Sequence, residues 1–585
     1  MTTNLRSDSF SQFLKEAAKH EQQIRNPRST PADIAKVVEF INDNQDWMSF
    51  IAQHPSANRK SVENLSRRLH LMRSAEGEKV AKMIDQYLTR DVSLVHDAIK
   101  EVLRNTGKDM HDPVMRKTLA SASKASKSMR QASAEVRIEW INENRPKLKD
   151  LGFKNAEEAI KFLINSPAKD RINYVNFEGL PLNNEQFEKL TRNCPNLQHI
   201  EMPGSLLSGD SLKNLANLTS LQSLNFRECE QLERDALKHL ANLTNLQSLS
   251  IGGCTLLEGD ALKYLANLTS LQSLDMRWCH HLERDALKHL ANLTNLQSLD
   301  ILGCKQLERD ALKHLANLTH LQSLNIMWCT QLERDALKHI ANLTSLQSLT
   351  ILGCGQLERD ALKHLVNLTN LQSLHIRGCG QLEKDALKHL VNLTNLQSLN
   401  IRGCGQLERD ALKHLANLTN LQSLNIGGCT QLERDALKHL ANLTNLQSLS
   451  IQGCDQLEGD SLKYIANLTN LQMLDMRWCR QLEGDTLKYL ANLTNLQSLS
   501  IQGCDQLERD ALKHLANLIN LLSLDIRYCT QLERDALKHL ANLKNLQSLD
   551  IGYCTQLERG DLSIFEDLIT GKKLETLLNK FRNEL

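Results

Sequence analysis

Aromatic side chains are scarce in this chain: phenylalanine, tyrosine and tryptophan together make up 4% of its 585 residues, so where each one falls carries information. Charge of one sign is missing too. Lys and Arg number 70 against 69 Asp and Glu, a net +1. That balance gives no overall basis for binding nucleic acid or an acidic membrane surface. No stretch approaches the ~18–20 apolar residues of a membrane span. Residues 1–20 have no basic segment followed by an apolar run, so no standard secretory signal is expected, while export by a route that reads a different address stays open. No cysteine precedes Cys194. A zinc-bound RING needs several thiolates and is therefore not expected in that stretch. A ligase that passes ubiquitin through a thiol would have Cys194 alone outside the regular series. Phosphate loops fail as well: Gly107-Lys-Asp and Gly571-Lys-Lys lack the upstream glycine and the following hydroxyl of GxxxxGK[ST]. CxxC pairs are absent, and no Ser/His/Asp group stands out from repetition. No catalytic residue, metal ligand or cofactor is expected.

What is present is a period. A cysteine returns every 25 residues, fourteen times, from Cys229 to Cys554. The unit 271–295 reads LQSLDMRWCHHLERDALKHLANLTN. Self-similarity at such a spacing means a stack of supersecondary units. Each unit reads as strand, turn, helix, turn. In 221–245, Leu221, Leu224 and Phe226 point inward from a short strand, and Cys229 ends it. Leu232 closes the descending turn and Asp235 is the expected N-cap. Leu237, Leu240 and Leu243 give the helix a buried stripe. Lys238 and His239 are expected to face solvent, as is the histidine row continuing to His539, where Tyr264, Tyr464 and Tyr489 substitute.

The cysteines follow from the same stacking. Strands lie ~4.7–4.9 Å apart with equivalent side chains parallel. Their Cβ atoms then stand beyond the ~3.5–4.5 Å of a disulfide. Free thiols and a reducing compartment are the expectation. Fourteen equivalent thiols make no catalytic site. Small buried side chains whose weak S–H donors satisfy turn carbonyls explain them instead. Asn-Leu-Thr occurs twelve times from Asn217 to Asn492 and reads as a turn rather than a glycosylation acceptor.

Residues 1–165 lack the repeat. Apolar spacing there is helical, for example over 80–88 and 95–103, which predicts a small helical domain. The Ser/Ala/Lys-rich segment near 118–133 is a linker or an exposed helix. Residues 172–177 and 197–202 are divergent first units, so the array spans 166–570 in about sixteen strands of period 25. Residues 571–585 carry the pattern of a capping helix.

The recurring LxxLxΦxxCxxLxxxALxxLxxLxx, with Φ apolar, resembles the leucine-rich repeat, specifically its cysteine-containing subclass, over about 170–570. The resemblance implies an α/β fold: a curved solenoid with a parallel sheet on the concave side and helices outside, behind a small all-α N-terminal domain. It also implies binding of other proteins. The subclass is known from F-box proteins, which present substrates to ubiquitin ligases. The chain is similar, too, to repeat proteins of amoeba-associated intracellular bacteria. Residues 1–165 depart from the F-box pattern, with no Leu-Pro-x-Glu start and no Val-Cys-x-x-Trp end.

Fourteen copies provide an internal comparison. Inward positions barely change. Variation concentrates just before the cysteine, at the equivalents of 227 on the concave face and 228 at its rim. These are Arg277, Trp278, Trp328, Arg377, Arg402, Arg477, Trp478, Arg527, Tyr528 and Tyr553. Trp, Tyr and Arg dominate binding energy in protein interfaces, so these ten are the candidate partner-binding residues. The competing explanation is that the aromatics merely fill space over neighbouring glycines. The expected function is a non-enzymatic, cytoplasmic scaffold holding a protein partner on its concave face, with neither nucleic acid nor membrane involved. The alternative is an adaptor or bacterial effector, working in the host cytosol, whose N-terminal domain docks to host machinery such as a ubiquitin ligase.

Overall fold

A computed structural model describes residues 127–555, apart from Arg234, Glu283, Arg309, 333–334, 354–358, 379–381, 383–384, 408–409, Arg434, Gly484 and 508–509. The segments 1–126 and 556–585 lie outside the described residues, and with them most of the helical domain expected over 1–165, the end of the array and the capping helix expected over 571–585, as do Cys354 and Cys379. The chain divides into two compact units, one up to Phe226 and one from Arg227.

In the first unit, helices α1 (Lys127–Asn144), α2 (Ala156–Ile164) and α3 (Asn184–Asn193) accompany strands β1 (Tyr174–Asn176), β2 (His199–Glu201) and β3 (Ser223–Asn225). Helix α2 forms because Ala156, Ala159, Ile160 and Leu163 recur on one buried stripe, and because the Asn155 side chain accepts the Glu158 N–H at its start. Helix α3 opens with a reciprocal capping box between Asn183 and Gln186. Helix α1 ends against β1. Asn142 Oδ1 accepts the backbone N–H groups of Asn173 (3.1 Å) and Tyr174 (3.3 Å), and its Nδ2 donates to the Arg171 carbonyl (2.8 Å). A side chain thus satisfies strand-edge groups that would otherwise pair with another chain.

The second unit carries thirteen further strands, each parallel to the next and in strict 25-residue register: Leu249 faces Leu274, Leu274 faces Leu299, and so on to Leu524 and Leu549. Counted with β1–β3, sixteen strands of this ladder are present among the described residues, β2 facing β3 at an offset of 24 residues rather than 25. The side-chain period of two decides the faces. The leucine of each strand and the Ile or Met two residues later are buried, while the residues between them are half-exposed. The result is an α/β solenoid, as the repeat implied. Amides tie the turns opposite: Asn295 Nδ2 donates to the Thr269 carbonyl at 2.9 Å, and Asn370, Asn395, Asn420 and their successors do the same one unit on.

The helices of the second unit differ from expectation. They are 3₁₀ turns such as Ala236–Leu240 and Ala261–Leu265, five residues each. Nor does Asp235 act as an N-cap. Its φ of −87° and ψ of 2° lie outside the extended region a cap needs, and its side chain makes no capping bond. The equivalent aspartates instead hold the lysine three residues on, as Lys263 Nζ to Asp260 at 2.8 Å and Lys438 Nζ to Asp435 at 2.7 Å. That lysine holds the Asp285, Asp310, Asp360 and Asp510 carboxyls below the usual range.

Candidate functional site

Each strand leaves the sheet through one left-handed residue. Glycine supplies it at Gly253, Gly303, Gly353, Gly378, Gly403, Gly428, Gly453 and Gly503, with φ between 65° and 76°. Six units place a larger residue there: Glu228, Trp278, Trp328, Trp478, Tyr528 and Tyr553, with φ between 58° and 62°. The backbone bond is the same in both cases. Trp278 N–H donates to the Leu302 carbonyl and Gly303 N–H to the Met327 carbonyl, both at 2.7 Å. The fold therefore calls for glycine at this position, and a side chain with a Cβ costs about 1–2 kcal/mol there.

The indoles lean onto the following unit. A Cβ built on Gly303 would stand 2.4 Å from the Trp278 ring, one on Gly353 2.6 Å from Trp328, and one on Gly503 2.3 Å from Trp478. Each tryptophan thus requires glycine in the next unit. The competing explanation of filled space over glycine is accordingly half of the picture. The other half is exposure: Trp278 and Trp328 remain 43% exposed and Tyr553 62%. Tyr528 and Tyr553 occupy consecutive units because their rings stack at 4.5 Å and 7°. Trp478 reaches Tyr528 across Gly503, with centroids 5.5 Å apart.

Three of the arginines are clamped by an aspartate two residues earlier on the same strand face. Arg277 Nε and Nη2 donate to Asp275 at 2.9 and 2.7 Å, and Arg477 likewise to Asp475 at 2.9 and 2.8 Å. Arg527 donates to both oxygens of Asp525 (3.1 and 3.0 Å), to Gln502 (3.2 Å), and pairs with Asp550 (3.2 Å). Such bidentate pairs fix the guanidinium plane. Burial alone would raise the Asp275 and Asp525 carboxyls, but the arginines outweigh it and bring both below their ordinary value. Burial raises Asp300.

The structure therefore brings Arg477, Trp478, Arg527, Tyr528 and Tyr553 into one cluster. Arg277 and Trp278 form another, joined by His280, whose ring meets the indole edge-on at 5.7 Å. Trp328 stands apart. Arg377 and Arg402 occupy adjacent units, where the Gly378 N–H donates to the Arg402 carbonyl at 3.0 Å. The carboxylate partners Asp275, Asp300, Asp475, Asp525 and Asp550 were missed. An aspartate two residues before an arginine on a strand was the available signal.

The described cysteines are all buried and free. From Cys279 onward, thiol after thiol donates to the carbonyl 28 residues earlier: Cys479 to Ile451 at 3.0 Å, Cys529 to Ile501 at 3.1 Å, Cys554 to Ile526 at 2.9 Å. Burial pushes Cys194, Cys279, Cys329, Cys429 and Cys479 up to about 12. Reaction of the native protein with Ellman's reagent at pH 8 should consequently leave these thiols silent, and guanidinium should expose them. Rapid native reaction of more than the two undescribed thiols would contradict this. The histidine row differs from expectation. His314 and His439 side chains are only 23% and 21% exposed, and burial lowers the imidazole pKa at His414 and His439. Stacked neighbours cover a face that a single unit would leave to water.

Among the described residues, no group of three or more His, Cys, Asp or Glu is placed to hold a metal ion, and no helix is long and apolar enough to cross a membrane. A separate open groove, about 1270 Å³, runs beside the strand starts between Gln322 and Asn545 and is lined almost wholly by glutamine and asparagine amides.

The model of a leucine-rich repeat region matches residues 317–486 and 403–580. No curated protein matches the chain. Among solved structures, an internalin of Listeria monocytogenes is similar at 23% identity, over 68% of this chain and 94% of that one, with a TM-score of 0.43. The structure of a TLR13–ssRNA13 complex aligns at 20% identity over 69% and 60%, TM-score 0.44. A chain of the yeast Rad7–Elc1 complex aligns at 21% over 76% and 98%, TM-score 0.36. With the family model matched across 317–580 and the strands there in 25-residue register, these residues form a leucine-rich repeat region.

Proposed function

We propose that the open sheet face binds a protein partner, with Trp278, Trp328, Trp478, Tyr528 and Tyr553 as apolar anchors and the neighbouring arginines as oriented donors. One observation carries this reading: large aromatics occupy a left-handed position that glycine fills without strain elsewhere, and three of them stay well exposed there. Strain held at an exposed site points to a role outside the fold. Trp, Tyr and Arg are also the residues that most often dominate interfaces. The clamped guanidiniums are already ordered, so docking onto them loses little side-chain entropy. The scaffold reading is preferred to an enzymatic one because the thiols are buried and protonated. The buried cysteine ladder supports reading the repeats as the cysteine-containing subclass.

The test is a binding comparison of the wild type with a Trp278→Gly/Trp328→Gly/Trp478→Gly variant, using partners recovered on the full chain. The variant should lose at least about tenfold in affinity, since anchor residues contribute upward of ~2 kcal/mol each. Unchanged partners and affinities would reject the reading.

A further inference from the structure

We propose that the amide groove along the strand starts is a second binding site, for a neutral linear glycan that lies across the repeats with one sugar per unit. The site is separate from the aromatic anchors, which stand where the strands end, and does not depend on them.

The first observation is unused hydrogen-bonding capacity. Each asparagine from Asn370 to Asn545 donates through Nδ2 to the carbonyl 26 residues earlier, all at 2.9 Å. That bond orients the amide and leaves its Oδ1 as an acceptor that no described residue uses. The glutamines from Gln347 to Gln497 are exposed. Their carboxamides make no hydrogen bond to a described residue. Each therefore offers two donors and an acceptor to a ligand. No lining residue is charged and none is aromatic.

The second observation is a run of constancy. In earlier units the place of these asparagines is taken by Ser270, His320 and Ser345, so the repeat folds without an amide there. From Asn370 and Gln372 to Asn495 and Gln497, six successive units keep both amides. The sheet face of the same units diverges: one position runs Arg377, Arg402, Gly427, Gln452, Arg477, Gln502. Duplication alone would let both rows drift. The next unit ends the run. Leu522 replaces the glutamine, and Ile519, 56% exposed, replaces the threonine beside it.

The chemistry of the lining selects the ligand. Without Lys or Arg the groove has nothing to neutralise a phosphate backbone, and without aromatics it has nothing for bases to stack on. A hydroxyl both donates and accepts. Two neighbouring hydroxyls of one sugar can give a hydrogen bond to an asparagine Oδ1 and take one from a glutamine Nε2 in the same unit. Units recur every ~4.8 Å, and a pyranose in an extended chain advances by close to that distance, so the match repeats. Side groups on one face of an extended peptide recur every two residues, ~6.6 Å, and fall out of step. Six units span roughly 24 Å from first to last, room for a hexasaccharide.

An array of neutral linear oligosaccharides, including cellohexaose, xylohexaose and mannohexaose with their trisaccharides, tests this on the full chain. At least one hexasaccharide should bind, about tenfold more tightly than its trisaccharide, and salt should not weaken it because no charge takes part. A Gln397→Leu/Gln422→Leu variant should lose about tenfold in affinity. Its unfolding midpoint should not move, since leucine already stands at 522. Gln247→Leu/Gln272→Leu, outside the groove, should bind as the wild type does, and so should the triple tryptophan variant. No neutral oligosaccharide bound, equal binding by the Gln397/Gln422 variant, or equal losses in the two leucine pairs would overturn the inference. Loss of the sugar in the tryptophan variant would move it to the sheet face and overturn the groove as its site. An Asn/Gln-rich peptide that binds where no sugar does, and is lost with Gln397 and Gln422, would overturn it in favour of a polar peptide.

Discussion

Between pH 9 and pH 10.5 the repeats should lose most of their resistance to denaturant. An exposed thiol ionises near 8.5, whereas burial holds Cys279, Cys329, Cys429 and Cys479 at about 12. A pKa raised in the folded state contributes stability that is complete below the unfolded value and is lost as pH climbs toward the folded one. The window is therefore about pH 9 to 12. Within it each such thiol costs about 1.4 kcal/mol per pH unit, so the four together cost about 5 kcal/mol per unit. Domains commonly have 5–15 kcal/mol in all. The guanidinium midpoint should be flat from pH 7 to 8.5 and then fall steeply. Replacing these four cysteines by alanine should lower the midpoint at pH 8, since the S–H bonds to carbonyls are lost, but flatten the alkaline fall. A midpoint that holds to pH 10.5 in the wild type would contradict the buried, protonated ladder.

Alanine at Gly503 should destabilise far more than alanine at Gly378. Both glycines have left-handed φ, at 70° and 68°, so both substitutions meet the same backbone cost of about 1–2 kcal/mol. At Gly378 nothing else stands in the way. At Gly503 the new Cβ would overlap the Trp478 ring, which is itself packed against Tyr528. Overpacking of that kind adds about 1–3 kcal/mol. Gly503→Ala should thus cost roughly 2–5 kcal/mol and Gly378→Ala roughly 1–2. Adding Trp478→Gly to Gly503→Ala should remove the excess, a coupling that a double-mutant cycle measures in unfolding free energies. Equal losses at the two glycines would mean that the indole does not lie on Gly503.

The sheet was legible in the sequence because each strand pairs only with its own copy. Once Leu224, Leu249 and Leu274 recur every 25 residues, register and inward face follow. The 3₁₀ turns were not legible. Ala-Leu-Lys-His-Leu buries the same alanine and leucines in either helix type, and the choice depends on how far the segment must reach between turns. The glycine most common at the equivalents of 228 was a sign of positive φ, which makes Trp278 and Trp478 exceptions to a backbone rule as well as to a composition. The direction in which those rings lean was not readable, because it depends on how one unit stacks on the next. The same stacking covers the histidines: His439 occupies an outward position, yet its neighbours leave it 21% exposed.

The Trp278→Gly/Trp328→Gly/Trp478→Gly variant measures the central claim most directly, provided stability and affinity are read from the same preparation. For Trp278, 43% exposed, packing over the next glycine removes roughly 100 Å² of indole from water, worth about 2.5 kcal/mol. The left-handed backbone takes back about 1–2 kcal/mol. Each replacement should therefore shift the unfolding free energy by only about 1 kcal/mol, while affinity for the partner falls by at least about tenfold. A variant that binds as tightly as the wild type but unfolds several kcal/mol more easily would show that the tryptophans serve the fold and that the open face is not where a partner is held.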